Sequence, residues 1–131
     1  LGSRQVGRYA LQAAIAAVHC GASSAGDTDW TEIVGLYDLL LRGESSPVIE
    51  LNRAAAVAMR DGPAAGLSLI NAIQDRGELA DYQLFHSARA ELLRRLGRSD
   101  EARAAYQRAL ELTEQEPQRR FLERRLQALP D

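Results

Sequence analysis

Apolar positions along this chain recur every three or four residues, and Gly, Pro and Ser break them into segments of helical length. Seven helices are predicted. The first, Tyr9 to Cys20, is almost continuous Ala, Leu, Ile and Val, so both of its faces can be covered. A Gly-, Ser- and Ala-rich loop follows at Gly21–Gly26. Asp29 reads as an N-cap with Glu32 three residues on, and the second helix behind it carries Ile33, Leu36, Tyr37, Leu40 and Leu41 on one stripe up to Gly43. Ser46-Pro47 opens the third helix, with Ser capping and Pro at the first helical position. Asp61-Gly62-Pro63 stops it and starts the fourth, which Gly77 closes. A fifth runs from about Ala80 to Leu96, with Gly97 as its C-cap. Ser99 is read as the cap of the sixth, and Pro117 as the start of the seventh. No stretch alternates with period two, so no sheet is predicted.

The helices pair into units that resemble one another. Tyr37, Ile70 and Tyr106 fall at equivalent places, 33 and 36 residues apart. Ala90, Leu93, Gly97, Ala102, Tyr106 and Ala109 follow the small, large, Gly, small, aromatic, small order of a tetratricopeptide repeat. Ala54, Val57, Gly62, Gly66, Ile70 and Ile73 repeat it loosely, and the unit holding Tyr37 and Leu40 has a longer inter-helix loop. Small residues let antiparallel helices approach, the ring fills the gap to the next hairpin, and Gly97 supplies a positive φ. One hairpin cannot bury its face alone, so several must stack and the last needs a polar-faced cap. The expected fold is all-α: tandem antiparallel hairpins in a right-handed α-solenoid, about three repeats capped by Pro117–Leu129, as a single domain over residues 1–131.

Composition narrows the function. The chain is 46% hydrophobic but only 5% aromatic, which fits Ala- and Leu-rich helices. All 16 basic residues are Arg and the net charge is −2, so no overall positive field draws it to nucleic acid or an anionic membrane. Cys20 is the single cysteine, which excludes an internal disulfide and a thiolate metal cluster. No apolar run has membrane-spanning length and the Ala-rich start is not a signal peptide, so a cytoplasmic location is expected.

Chemistry-bearing motifs do not assemble. His19 and Cys20 are neighbours on a helix and point about 100° apart, so they form no nucleophile–base dyad. His86 has no partner at zinc-ligand spacing. Asp27-Thr28-Asp29 lacks the Gly a calcium loop needs at its sixth position, where Glu32 stands. No phosphate-cradling Gly-rich loop is present. No catalytic residues, metal ligands or cofactors are expected, and the chain is not expected to be an enzyme. The Arg stripes at Arg94, Arg95, Arg98 and at Arg119, Arg120, Arg124, Arg125 are interleaved with acids, as solvated helix faces are.

Asn52 and Arg53 interrupt an otherwise apolar helix. In a repeat of this kind the first helix of each hairpin lines the concave groove. Asn52, Arg53, Arg89, Glu91, Arg94 and Arg95 are therefore the candidate partner-binding residues, suited to an acidic peptide or a free carboxylate. Alternatively, Asn52 and Arg53 hydrogen-bond a neighbouring hairpin.

Several segments together resemble one family: Tyr9 through His19, Asp29-Trp30 with Leu36-Tyr37, Ser46-Pro47-Val48 through Leu51-Asn52-Arg53-Ala54, Gly62-Pro63, Ala88-Arg89-Ala90 through Gly97-Arg98, and Phe121 through Leu126. They are similar to the C-terminal tetratricopeptide-like extension of bacterial extracytoplasmic-function (sigma-24-like) sigma factors of RNA polymerase. Arg8 stands where that family usually has Pro. The resemblance implies a regulatory, protein-interaction domain in transcription initiation. Its partners would be the sigma factor's own regions, RNA polymerase or a regulator peptide, with DNA reached only through promoter-binding domains this chain lacks. The alternatives are a small-molecule-sensing helical domain and a generic peptide-binding adaptor.

Overall fold

A computed structural model describes residues 29–43 and 45–130. Among these the chain forms six helices and no strand: α1 (Trp30–Gly43), α2 (Pro47–Asp61), α3 (Pro63–Asp75), α4 (Gln83–Arg95), α5 (Ser99–Leu112) and α6 (Glu116–Ala128). They match the second to seventh helices of the sequence reading. The first, Tyr9–Cys20, and the loop after it lie outside the described residues, as do Asp27 and Thr28 of the calcium-loop comparison.

Local chemistry sets the boundaries. Asp29 accepts the Glu32 amide at 3.0 Å through Oδ1, and Ser46 accepts the Ile49 amide at 3.3 Å through Oγ, so both serve as side-chain caps. Gly62, at φ 105°, ends α2 and precedes Pro63 at the start of α3. Gly97, at φ 76°, closes α4: its amide bonds to the Arg94 carbonyl and that of Arg98 to the Leu93 carbonyl, both orphan acceptors of the last turn. Three readings need adjusting. Ser99 is the first residue of α5, and Arg98 precedes it without a side-chain cap. α6 opens at Glu116, one residue before Pro117. α4 begins at Gln83, because residues 77–81 are spent on a tight turn in which Leu79 takes φ 60°.

Among the described residues, helices adjacent in sequence pack against each other, and α2 also touches α4. Among the described residues the core falls into two clusters, one on each side of α2. Trp30, Val34 and Tyr37 of α1 bury against Ala55, Ala56 and Val57 of α2. The opposite side of α2 joins a larger cluster with Ile70, Phe85, Leu92, Tyr106 and, from α6, Leu122. Only Leu122 of α6 itself is buried, which suits a helix with its remaining faces in solvent. The molecule is thus an all-α helical repeat.

Candidate functional site

The six candidate residues lie on α2 and α4, the first helices of their hairpins. The structure divides them into three kinds.

Arg53 and Arg89 are 36 residues apart and do the same thing. Each reaches back to the second helix of the preceding unit: Arg53 Nε donates to Asp38 Oδ1 at 2.7 Å, and Arg89 Nε donates to Asn71 Oδ1 at 3.2 Å. Asp38 and Asn71 are themselves equivalent, each following the large residue of its helix, Tyr37 and Ile70. These are rungs between units. Both guanidinium groups keep some exposure, with side-chain accessibilities of 29% and 17%.

Asn52 and Glu91 are enclosed, so neither lines an open groove. Asn52 donates Nδ2 to the Val48 carbonyl one turn back at 2.8 Å, and its buried Oδ1 has no hydrogen-bond partner among the described residues. Glu91 is the centre of a polar network. Its Oε1 accepts the Tyr106 hydroxyl at 2.8 Å and Arg125 Nε at 2.7 Å, while Oε2 accepts Arg94 at 3.0 Å. Three helices meet on that one carboxylate. Burial raises the Tyr106 hydroxyl above its usual range, and the Glu91 charge raises it further, so it stays protonated and donates. Its place on the first helix of a hairpin makes Glu91 a groove candidate, but that place does not show what covers it. Two of its three partners lie 15 and 34 residues downstream, and the available signal is its position between Ala90 and Leu92-Leu93.

Arg94 and Arg95 are partly exposed at the end of α4. Arg94 is anchored on Glu91, and Arg95 lies 3.8 Å from Met59 Sδ of α2. The partly exposed members of the set are therefore four arginines, Arg53, Arg89, Arg94 and Arg95, whereas Asn52 and Glu91 are internal.

Arg53 also borders a cleft of about 360 Å³ between α1, α2 and α3. Its wall carries Asp38, Glu50, Arg53 and Arg76, and its floor Leu41, Leu69 and Ile73. Among the described residues, no group of three or more His, Cys, Asp or Glu side chains is placed to hold a metal ion, and no helix is long and apolar enough to cross a membrane.

Comparison with known proteins bears on one part of this arrangement directly. The tetratricopeptide repeat family profile matches residues 83–116, the span that holds α4, α5 and the Glu91–Tyr106 bond. An uncharacterized protein of Rhizobium meliloti (strain 1021) is 47% identical over 109 residues, covering 83% of this chain. The chain spans about a quarter of that relative's length. No solved structure matches. Tetratricopeptide repeats are protein-interaction units, and residues 83–116 are one of them, set in a chain of similar hairpins.

Proposed function

We propose that this chain is the regulatory domain of an extracytoplasmic-function sigma factor and docks a protein partner through the arginines of α2 and α4. The observation that carries the docking is the repeat at residues 83–116, whose first helix presents Arg89, Arg94 and Arg95 at partial exposure. Arg94 is pre-positioned by Glu91, so little side-chain freedom would be lost when it meets a carboxylate. An acidic segment with spaced carboxylates is the matching ligand.

Two observations support the sigma-factor part. The sequence resemblance runs in order from Tyr9 to Leu126. The relative is about four times as long as the stretch it shares, which leaves room for promoter-binding domains. The partner would then be the sigma factor's own regions, RNA polymerase or a regulator peptide.

The test is promoter-directed transcription by the full-length protein, with co-purification of this chain and the promoter-binding regions or polymerase. Arg95→Glu combined with Arg89→Glu is the informative variant, because reversing Arg94 would set a second carboxylate beside buried Glu91. Binding should fall by ~10-fold or more for two charge-assisted contacts. Unchanged binding and unchanged transcription with the variant folded would refute the arginine assignment. Transcription indifferent to deletion of the whole domain would refute the regulatory role.

A further inference from the structure

The cleft between α1, α2 and α3 has more charge capacity than its internal pairs use. Each helix gives it one stripe: Asp38 and Leu41 are three apart on α1, Glu50 and Arg53 three apart on α2, and Leu69 and Ile73 four apart on α3, with Arg76 capping the end of that helix. Two ion pairs cross it, Arg53 with Asp38 and Arg76 with Glu50, and Arg76 also donates Nε to Glu78 at 2.7 Å. Arg53 spends only Nε on Asp38. Its two terminal nitrogens, and the second oxygen of Asp38 and of Glu50, have no hydrogen-bond partner among the described residues.

The lining therefore offers spare donors and spare acceptors together, above an aliphatic floor. A purely anionic ligand would meet Asp38 and Glu50, and a purely cationic one would meet Arg53 and Arg76. Neither gains without an opposing like charge. A ligand carrying both signs avoids the conflict. The volume of about 360 Å³ lies at the small end for ligand sites and suits a molecule of amino-acid size.

We infer that this cleft binds a free aliphatic α-amino acid. Its carboxylate bonds to Arg53, its ammonium to the spare oxygens of Asp38 and Glu50, and its side chain lies on Leu41, Leu69 and Ile73. The site is separate from the α4 arginines and stands whether or not the chain belongs to a sigma factor. It adjoins the Arg53–Asp38 rung, so occupancy would tighten α1 against α2.

Calorimetric titration of the whole chain with L-leucine tests it, beside isocaproate and isoamylamine, which share the aliphatic body but carry one charge each. Leucine should bind saturably, and each analogue should bind ~10-fold or more weakly, the order of one charge-assisted contact. Arg53→Gln should weaken leucine by a similar factor, while Arg124→Gln on α6 should not. If Arg53→Gln alters the helical circular dichroism, Glu50→Gln takes its place: it should weaken leucine but not isocaproate. Absence of saturable leucine binding at millimolar concentration overturns the proposal. So does isocaproate binding as tightly as leucine, or leucine affinity unchanged in both variants.

Discussion

The α2–α3 and α4–α5 hairpins fill one frame with opposite chemistry. Positions 36 residues apart correspond: Ala54 with Ala90, Gly66 with Ala102, Ile70 with Tyr106, and Ala55 with Glu91. In α4–α5 the large residue has a hydroxyl, and the opposing first helix supplies a buried carboxylate for it. In α2–α3 the large residue is Ile70, and the position that would carry the carboxylate is Ala55, buried on the side of α2 that meets Trp30, Val34 and Tyr37. Donor and acceptor are present together or absent together, because a buried polar group alone is costly. The apolar hairpin gains its closeness differently. A Cβ on Gly66 would lie 2.5 Å from Ala58 Cβ and 2.8 Å from the Ala54 carbonyl oxygen, so the two helices are nearer than any side chain permits. One hairpin is held by backbone proximity and the other by a polar hub that also engages α6.

Glu91→Ala should have the largest effect. It strands the Tyr106 hydroxyl and removes the shared acceptor of Arg94 and Arg125. Breaking a buried ion pair from one side costs about 3–5 kcal/mol, and the partial exposure of both arginines favours the lower end. Urea denaturation with far-ultraviolet circular dichroism measures it. A loss below about 1 kcal/mol would mean that α4–α5 is held by apolar packing alone, like its neighbour.

Gly66→Ala comes next, at about 1–3 kcal/mol, because the helices must separate to admit the methyl group. The same measurement applies. If Gly66→Ala is neutral or stabilising, as Gly→Ala usually is in an unconstrained helix, the close approach in α2–α3 is not what holds that hairpin.

The helices were legible in the sequence because their boundaries are local. Asp29, Ser46, Pro63 and Gly97 act within four residues of where they stand. The repeat was legible for the same reason: Gly66 and Ala102 mark close packing whatever surrounds them. The candidate surface was only partly legible. Helical spacing assigns a face but not what covers it, and Glu91 is covered by α5 and α6. Asn52 is covered too, and its side chain bonds its own helix at Val48. The Arg53 rung was visible as a possibility, but choosing Asp38 as its partner needed the stacking of α1 on α2. The cleft was not legible, because it exists only where stripes from three helices converge.

The two tyrosines fully buried among the described residues, Tyr37 and Tyr106, sharpen the comparison at a smaller scale. Tyr106 has an acceptor, whereas the Tyr37 hydroxyl has no partner among the described residues. Tyr106→Phe should therefore cost about 1–2 kcal/mol, and Tyr37→Phe should be neutral or slightly stabilising. Equal losses would show that hydroxyl pairing does not distinguish the two sites. Burial raises both hydroxyls above the usual tyrosine value, which fixes the sign of a pH effect. The folded state favours the neutral phenols, so this contribution is fully present below about pH 10 and is lost as pH rises beyond it. Melting temperature followed from neutral pH upward should fall in that alkaline range, and the Tyr37→Phe, Tyr106→Phe double variant should fall less steeply.

The smallest effects belong to the rungs. Arg53 and Arg89 occupy equivalent positions and make equivalent reaches, but Arg53 meets a carboxylate and Arg89 an amide. Arg53→Ala should cost up to about 1 kcal/mol at low salt, as a partly exposed ion pair does, and less as salt is raised. Arg89 has a longer ion contact, 3.9 Å to Glu101, so its loss should be comparable in size but less salt-sensitive. The decisive quantity is the difference in salt dependence between the two variants, read from denaturation midpoints at low and high sodium chloride. If Arg89→Ala proves the more salt-sensitive, its tie to Glu101 within the α4–α5 hairpin outweighs its tie back to Asn71. Arg89 would then belong to its own repeat, and the reach between units would be a feature of Arg53 alone.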